Sequence, residues 1–437
     1  MFVMFNAIMK CFTINLLFLL AVFFGNTAGA GPEVSIGGDG GVTLEHSVRR
    51  EAAERSGDFM LRVLDDTGRF TYRINPLYPK LKKKYNWLRH AGSIYSICQL
   101  YESTGKGKYL DAANLATKNL VQQIRPTELN NNVFAVLISD PAITGSKPEL
   151  GKVVKTGGCA LAMIAMCDVD RLNDNKLHRG ILLMMSDYIR FCQLPSGSLN
   201  SKYLINKQRF DAWQSQYYQG EALVALARVQ KRYPTPDVQD TMVRLLVFLA
   251  DTWQASTDLD RTPQRPVSRA FDHWGLLGLH ACFELITDAE LEKYSEHWTR
   301  ERLLELAARY AEDELRRVRI EGQQVNIGCF KGREGEVTPT SIRLEGIQAA
   351  QNLVIRNSGE FTVKFQETPW WWEQRIDLAL RFLLTAQYNK GHAKMWPDMP
   401  DVDGAFHRRA VLGLEVRNSE IRIDYCQHAL SALLAEY

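Results

Sequence analysis

The sequence predicts an all-α protein, an (α/α)6 toroid in which six inner helices are surrounded by six outer helices. Segments with no polar face alternate along the chain with segments that have one apolar and one polar face. The resulting two-helix unit recurs at roughly 50–70 residues, as in helical arrays. A polar cluster also precedes each wholly apolar segment. Helices without a polar face must be enclosed by other helices, and closing the array into a ring does this.

The first thirty residues predict a signal peptide that is removed on export. Lys10 precedes the apolar run CFTINLLFLLAVFF, and Ala28-Gly29-Ala30 has the small-x-small pattern of a signal-peptidase site. The apolar run is about 14 residues long, which is short for a membrane span. We therefore expect residues 31–437 to be a single toroid domain, secreted or periplasmic and not inserted in a membrane after cleavage. The alternative is an uncleaved N-terminal membrane anchor.

Six amphipathic segments are assigned to the outer ring. Each repeats apolar residues at i, i+3 and i+4 with charged residues between them, the pattern of a helix with one buried face. The outer segments are 44–65, 108–124, 176–193, 236–254, 299–317 and 372–388.

Six apolar segments are assigned to the inner ring. In the third of them, every residue from Ala222 to Ala227 is apolar. The stretches 126–152, 256–270, 319–338 and 389–419 are read as loops, long enough to form the rim of a site. The inner segments are 87–103, 157–169, 215–230, 271–287, 340–355 and 421–436.

Charge and cysteine usage exclude several classes of function. The chain carries 53 basic and 50 acidic residues, so its composition gives no argument for nucleic-acid binding. No CxxC or Cys/His metal spacing occurs, and we expect no structural zinc, no other metal and no cofactor. Seven of the eight cysteines follow the signal segment, and most lie in apolar segments, where packing accounts for them.

Two inner segments carry a resemblance to known carbohydrate enzymes. The layout resembles the six-hairpin glycosidase-like toroids over nearly all of the mature chain. The sequence YYQGEALVALARV and the segment 272–285 are similar to the C-terminal helical domain of D-glucuronyl C5-epimerases. The resemblance implies a cleft at one mouth of the barrel that binds a poly- or oligosaccharide.

The polar clusters supply candidate catalytic groups, because closure of the ring would gather the starts of all inner helices around one pocket. Asp272 and Glu345 are favoured as an acid/base pair since they lie on consecutive inner helices, at a spacing suited to inverting hydrolysis. Asp211 and Asp424 are further candidates for these roles, and Glu221 is another that lies slightly deeper in its helix. The structural alternatives are an N-cap for Asp211 and an internal ion pair for Glu221.

A cation lies near the start of five of the six inner helices. Guanidinium groups suit a carboxylate or sulfate, so the substrate is expected to be acidic. The alternative is that each arginine pairs with a nearby carboxylate, as Arg422 with Asp424 or Arg343 with Glu345. The cations are Arg89, Lys155, Arg269, Arg343 and Arg422.

Histidines and aromatic residues complete the predicted site. His90, His273 and His428 are candidates for proton transfer, and the alternative for each is a structural role. Aromatic rings at the mouth can stack on sugars or simply pack in the core. The predicted substrate-binding residues are Arg89, His90, Trp213, Tyr217, Gln219, Trp274, Arg343, Arg422, Tyr425 and His428.

Three functions remain open from the sequence. The first is an exported glycoside hydrolase that cleaves an acidic poly- or oligosaccharide by carboxylate acid/base catalysis. The second is a uronate C5-epimerase or polysaccharide lyase, in which an arginine neutralises the C6 carboxylate while a histidine or tyrosine removes the C5 proton. The third is a non-catalytic glycan-binding toroid.

Overall fold

The computed structural model describes residues 44–78, 84–145, 148–260, 271–332, 335–357, 370–394, 401–410 and 418–435. The residues from Thr43 to Tyr437 form one compact unit. The predicted signal segment and Arg269 lie outside the described residues. In the part of the chain that is described, no helix is both long and apolar enough to cross a membrane.

Six helices form a closed inner ring. Each packs against the next in chain order, and the last, α12, packs against the first, α2, so the ring has no open end. The predicted (α/α)6 toroid is therefore confirmed. The inner helices are α2 (Trp87–Thr104), α4 (Thr156–Leu172), α6 (Tyr218–Arg232), α8 (His273–Cys282), α10 (Val337–Asn357) and α12 (Ile423–Leu434).

Six further helices surround the inner ring and pack on its outside. Their apolar faces cover the inner helices, while their charged faces remain at the surface. The outer helices are α1 (His46–Arg62), α3 (Gly107–Val121), α5 (Arg179–Cys192), α7 (Pro236–Asp260), α9 (Arg300–Leu315) and α11 (Trp370–Thr385).

The inner helices are buried on all sides, as their sequences predict. In α4, every residue from Thr156 to Asp170 is buried. Close approach of α6 and α8 requires a glycine, because a methyl group at Gly220 would overlap the backbone nitrogen of Gly275 and the carbonyl carbon of Trp274. The free cysteines Cys98, Cys159, Cys167, Cys192, Cys282, Cys329 and Cys426 are all buried.

Short strands at the mouth of the ring were not predicted. The stretch 126–152, read as a loop, contains most of a hairpin, β2 (Ile124–Leu129) and β3 (Asn132–Ser139). This hairpin continues through β4 (Val153–Lys155), β5 (Lys202–Leu204) and β6 (Arg209–Phe210) as a five-stranded antiparallel sheet. Because β4 runs directly into α4, the sheet forms a wall beside the start of that inner helix.

A second, two-stranded sheet joins distant parts of the chain beside the mouth. Strands β1 (Arg73–Ile74) and β7 (Ile421–Arg422) pair antiparallel, with Arg73 opposite Arg422. Strand β7 leads directly into α12, so this pairing ties the segment before α2 to the segment before the last inner helix. The remaining short helices are Pro141–Thr144, Pro148–Leu150, Ile205–Lys207, Phe283–Leu285, Asp288–Glu292, Gln324–Asn326 and Lys390–Lys394.

Candidate active site

A cavity of about 850 Å³ opens where the inner helices begin. Residues at or within the first turns of all six inner helices line it, which is the convergence that ring closure implies. The aromatic part of the wall is formed by Tyr217, Tyr218, Trp274 and Tyr425.

Two histidines line the cavity, and a glutamate contacts one of them. His428 Nδ1 lies 2.8 Å from Glu345 Oε1, joining α12 to α10. The His428 ring meets that of His273 edge to face, with 5.6 Å between the ring centroids. Both histidines line the cavity, whereas Glu345 lies behind His428 and is 3% exposed. The Glu345 carboxylate thus orients the His428 ring, and the His273 ring lies beside it.

Burial sets the protonation of this group. Burial lowers the pKa of His273 well below its usual range, and the charges of His428 and Arg343 lower it further. Neither nitrogen of His273 has a hydrogen-bond partner within the described residues. Burial raises the pKa of Glu345, and the nearby His428 opposes that rise. His273 is thus neutral near pH 7, with one N–H and one lone pair to offer a ligand.

Glu221 is a second buried acid on the cavity wall. It is 6% exposed, and its Oε2 has no hydrogen-bond partner among the residues described. Burial raises its pKa to about 8, with a smaller contribution from the charge of Asp272. Glu221 is therefore protonated near pH 7 and can donate a hydrogen bond into the cavity.

Asp424 differs from Glu221, because two arginines keep its carboxylate ionised. Arg422 binds it through both carboxylate oxygens, at 2.6 and 2.8 Å. The Arg89 Nε lies 3.0 Å from Oδ2. Burial raises the pKa of Asp424, but these charges outweigh it, and the net shift is downward. The predicted pairing of Arg422 with Asp424 is present, whereas Arg343 pairs with Glu314 of α9 rather than with Glu345.

The cavity is strongly positive. Eight arginine and lysine residues among its described lining residues face four carboxylates, of which Glu221 is neutral near pH 7. Such an excess favours an anionic ligand. The cations are Arg73, Arg89, Lys155, Arg317, Lys331, Arg343, Arg408 and Arg422, and the carboxylates are Glu221, Glu336, Glu420 and Asp424.

Eleven of the candidate residues named from the sequence line the cavity. They belong to the six inner helices or lie directly before them. They are Arg89, Lys155, Tyr217, Glu221, His273, Trp274, Arg343, Arg422, Asp424, Tyr425 and His428.

Asp272, one of the two favoured carboxylates, has a structural role. It is the N-cap of α8, where its Oδ1 accepts the Gly275 N–H at 2.9 Å. Its Oδ2 accepts the Trp253 indole N–H at 3.2 Å, and the side chain does not line the cavity. Burial raises its pKa to about 6. The expected pairing of Asp272 with Glu345 as acid and base does not fit this placement, because both Asp272 oxygens are already in use.

Two residues predicted to bind substrate instead hold the ring together. His90 is fully buried, with Nδ1 at 2.7 Å from the Tyr85 hydroxyl and Nε2 at 2.9 Å from the Ala116 carbonyl. Gln219 bonds both the N–H and the carbonyl of Leu199, each at 2.8 Å. Both side chains point away from the cavity because partners in neighbouring elements bind their polar atoms.

Asp211 and Trp213 lie outside the cavity, beyond Tyr218. Asp211 Oδ1 accepts the Trp213 N–H at 2.8 Å and so closes a turn, and it is 3.9 Å from Lys202 Nζ. The Trp213 ring is 48% exposed and meets the Tyr218 ring edge to face at 5.9 Å. Neither residue lines the central cavity.

Several lining residues were missed because they belong to strands and loops. Glu420 bonds Arg73 Nε at 2.6 Å and the Tyr425 hydroxyl at 2.9 Å, and β1–β7 pairing brings these groups together. No local pattern predicts such a pairing. Glu221 was already among the candidate carboxylates, and it lines the cavity with Tyr217 and Tyr218, which precede it at helical spacing.

Three solved structures that are similar to this chain are named as sugar epimerase, isomerase or mannanase. Cellobiose 2-epimerase from Spirochaeta thermophila matches with a TM-score of 0.58 at 14% identity, over 89% of this chain and 96% of that one. A D-mannose isomerase matches with a TM-score of 0.57 at 12% identity, over 89% and 97%. The GH76 α-mannanase of Bacteroides thetaiotaomicron matches with a TM-score of 0.54 at 8% identity, over 90% and 95%.

These likenesses establish the (α/α)6 toroid fold across most of the chain. No protein-family model and no curated protein sequence matches this one. Activity therefore has to be argued from the cavity itself.

Proposed function

We propose that this protein is a carbohydrate-active enzyme that removes a proton from the carbon next to the carboxylate of an acidic sugar. The observation that carries the proposal is the 2.8 Å contact between Glu345 Oε1 and His428 Nδ1, at a cavity that His428 lines. Of the functions left open by the sequence, the uronate epimerase or lyase fits this geometry best.

The Glu345 carboxylate favours the His428 tautomer that carries its proton on Nδ1. Nε2 then holds a lone pair and can act as a general base. In the proposed step the C5–H bond breaks, the proton moves to Nε2, and the electron pair delocalises into the sugar carboxylate. Return of a proton to the other face of C5 inverts the centre, whereas loss of the C4 substituent gives an unsaturated sugar.

The surrounding charges suit the intermediate of this step. Delocalisation places additional negative charge on the sugar carboxylate, and the positive lining of the cavity stabilises that charge. Glu221, protonated near pH 7, adds a neutral donor. His273 lies beside His428 and is the candidate for the second proton transfer. Two of the similar structures are named as a sugar epimerase and a sugar isomerase, which agrees with this class of reaction.

Glycoside hydrolysis is the second candidate function. It is favoured by one observation, the contrast between Glu221, whose pKa is raised to about 8, and Asp424, whose pKa is lowered. A protonated acid and an ionised carboxylate are the pair that hydrolysis needs. However, both oxygens of Asp424 are bound by arginines, which opposes a role as base.

Product analysis of the purified chain separates the candidates. Acidic and neutral poly- and oligosaccharides are incubated with the protein, and the products are examined by NMR and ultraviolet absorbance. The proposal predicts inverted C5 centres or unsaturated uronate ends from acidic substrates only. New saturated reducing ends would indicate hydrolysis instead, and recovery of every saccharide unchanged would favour a binding toroid.

Export through a cleaved signal peptide remains a proposal that rests on the sequence of residues 1–30. Cleavage after Ala30 predicts that N-terminal sequencing of secreted or periplasmic material begins at Gly31. An intact Met1 on a membrane-bound product would identify the segment as an anchor.

A further inference from the structure

Two cross-strand pairs of like charge occur at the rim of the cavity. Arg73 lies opposite Arg422 in the β1–β7 pair, and Lys155 lies opposite Lys202 in the β4–β5 pair. Like charges directly opposite each other destabilise an antiparallel sheet. Each pair therefore needs compensating negative charge.

The arginine pair has its compensation within the protein. Glu420 lies 2.6 Å from Arg73 Nε, and Asp424 binds Arg422 at 2.6 Å. Each arginine of this pair thus contacts a buried carboxylate of the protein, although Asp424 also pairs with Arg89.

The lysine pair lacks that compensation. Lys202 Nζ has a single carboxylate nearby, Asp211 at 3.9 Å. Lys155 lines the cavity and has no carboxylate partner within the described part of the chain. Burial, followed by the charges of Lys202 and Arg89, lowers the pKa of Lys155. The Lys155 charge, which no carboxylate of the described residues balances, lies where it can contact an anion bound in the cavity.

An aromatic surface adjoins the lysine pair. Lys202 Nζ lies 4.7 Å from the centre of the Trp213 ring, which is nevertheless 48% exposed. Trp213 meets Tyr218 at 5.9 Å between ring centroids, and Tyr218 lines the cavity. The exposed indole is thus continuous with the cavity wall and offers a face on which a sugar ring can stack.

We propose that Lys155, Lys202, Trp213 and Tyr218 form an outer subsite, which binds an anionic sugar unit next to the unit that undergoes proton transfer. The subsite rests on the proposed function in assuming a saccharide ligand, and it specifies the substrate class. That class is an oligo- or polysaccharide with acidic groups on successive units. The acidic group is a carboxylate or a sulfate, either of which would match the Lys155 charge.

Binding measured against chain length tests this subsite. Calorimetric titrations use the full chain carrying Glu345→Gln, with uronate saccharides of one to four units, neutral gluco-oligosaccharides and sulfated oligosaccharides. A charge-assisted contact predicts an affinity gain of about tenfold from one unit to two or three acidic units. Lys155→Gln and Trp213→Ala should each remove most of that gain, and Lys155→Arg should retain it.

The matched control is Lys176→Gln, an exposed lysine just beyond the opposite end of α4, which should leave the gain unchanged. Without ligand, Lys155→Gln should raise the melting temperature, because it relieves the repulsion from Lys202. A gain confined to sulfated saccharides would support the subsite and identify its anion as sulfate.

Three results would overturn the subsite. They are equal affinity for one and three acidic units, an equal gain for neutral chains, and a gain that persists in Lys155→Gln. Turnover of a uronate by the wild-type chain without any length effect would leave the proposed function standing and remove the subsite. An affinity that rises with chain length, without turnover of any uronate, would support the subsite and contradict the proposed function.

Discussion

At the scale of single residues, the Glu345–His428 pair gives the most direct test of the proposed proton transfer. Glu345→Gln keeps the shape of the side chain but offers an amide, which can donate to Nδ1 and so favour the inactive tautomer of His428. We expect turnover to fall by about 10²- to 10⁴-fold, the range for loss of a general base. The measurement is the initial rate of product formation at saturating substrate. A variant that retains more than half of the wild-type rate would exclude the dyad.

Glu221 gives a second residue-scale prediction, in the dependence of stability on pH. Its pKa is about 8 when folded against a usual value of 4.5, so the unfolded chain loses this proton first as pH rises. The stability of the folded chain therefore declines between pH 4.5 and 8, by on the order of 5 kcal/mol at most. Glu221→Gln cannot ionise.

The melting temperature of Glu221→Gln should therefore exceed that of the wild type by a margin that grows as pH rises through this window. Melting curves at pH 5, 6, 7 and 8 check it. A difference that stays constant with pH would show that Glu221 is ionised in the folded chain.

Residue roles were only partly predictable from sequence. Asp272 and Glu345 have the same sequence context, a carboxylate at the start of an inner helix near a glycine. Their roles diverge because Asp272 precedes α8 and caps it, while Glu345 lies two turns inside α10 and faces His428. The difference depends on where each helix begins, which sequence patterns locate least well.

At the scale of elements, the cap of α8 replaces the catalytic role expected for Asp272. Asp272→Ala removes the acceptor for the Gly275 N–H and for the Trp253 indole. We expect a loss of about 1–2 kcal/mol in the free energy of unfolding, as for other N-caps. Denaturant unfolding measures it, and Asp272→Asn, which keeps the cap through its Oδ1 but loses the Trp253 contact, should lose less. Loss of turnover in Asp272→Asn at unchanged stability would restore the catalytic role.

The contact between α6 and α8 gives the next prediction. Gly220→Ala would place a methyl group against the backbone of α8, so the two helices would have to separate. Overpacking of this kind typically costs about 1–3 kcal/mol. Gly107→Ala is the control, because a methyl group at Gly107, the first residue of α3, meets no atom within 4 Å. Equal unfolding midpoints for the two variants would contradict the tight packing.

Elements differ in how well the sequence predicts them. The inner and outer helices were assignable because long apolar and amphipathic repeats report burial directly. Strands β4, β5 and β6 were not assignable, since they contain two or three residues each and exist only through pairing with distant segments. The lysine pair at the rim is a product of that pairing and has no signature in local sequence.

At the scale of the whole molecule, ring closure is what makes a site. The sequence predicts it, because six helices without a polar face require one another, and contact of α12 with α2 completes the ring. Closure brings residues as distant as Arg89 and Asp424 to 3.0 Å. It also concentrates positive charge at the mouth of a chain whose net charge is only +3.

That charge distribution predicts salt-sensitive binding of acidic sugars. Raising the ionic strength from about 0.01 to 1 M shortens the screening length from about 30 to 3 Å. The affinity for uronate oligosaccharides should therefore fall steeply with salt. The affinity for neutral oligosaccharides, if measurable, should not. Titrations at three salt concentrations compare the two.

The measurement that tests the central claim most directly is exchange of solvent hydrogen into the sugar. An acidic oligosaccharide is incubated in D₂O with the wild-type chain and with Glu345→Gln, and deuterium at C5 is followed by NMR. The account predicts that the wild type incorporates deuterium at C5 of substrate or epimerised product, or makes an unsaturated end, and that Glu345→Gln does neither at a comparable rate. Cleavage of the glycosidic bond to a saturated end, with no deuterium at C5, would contradict it.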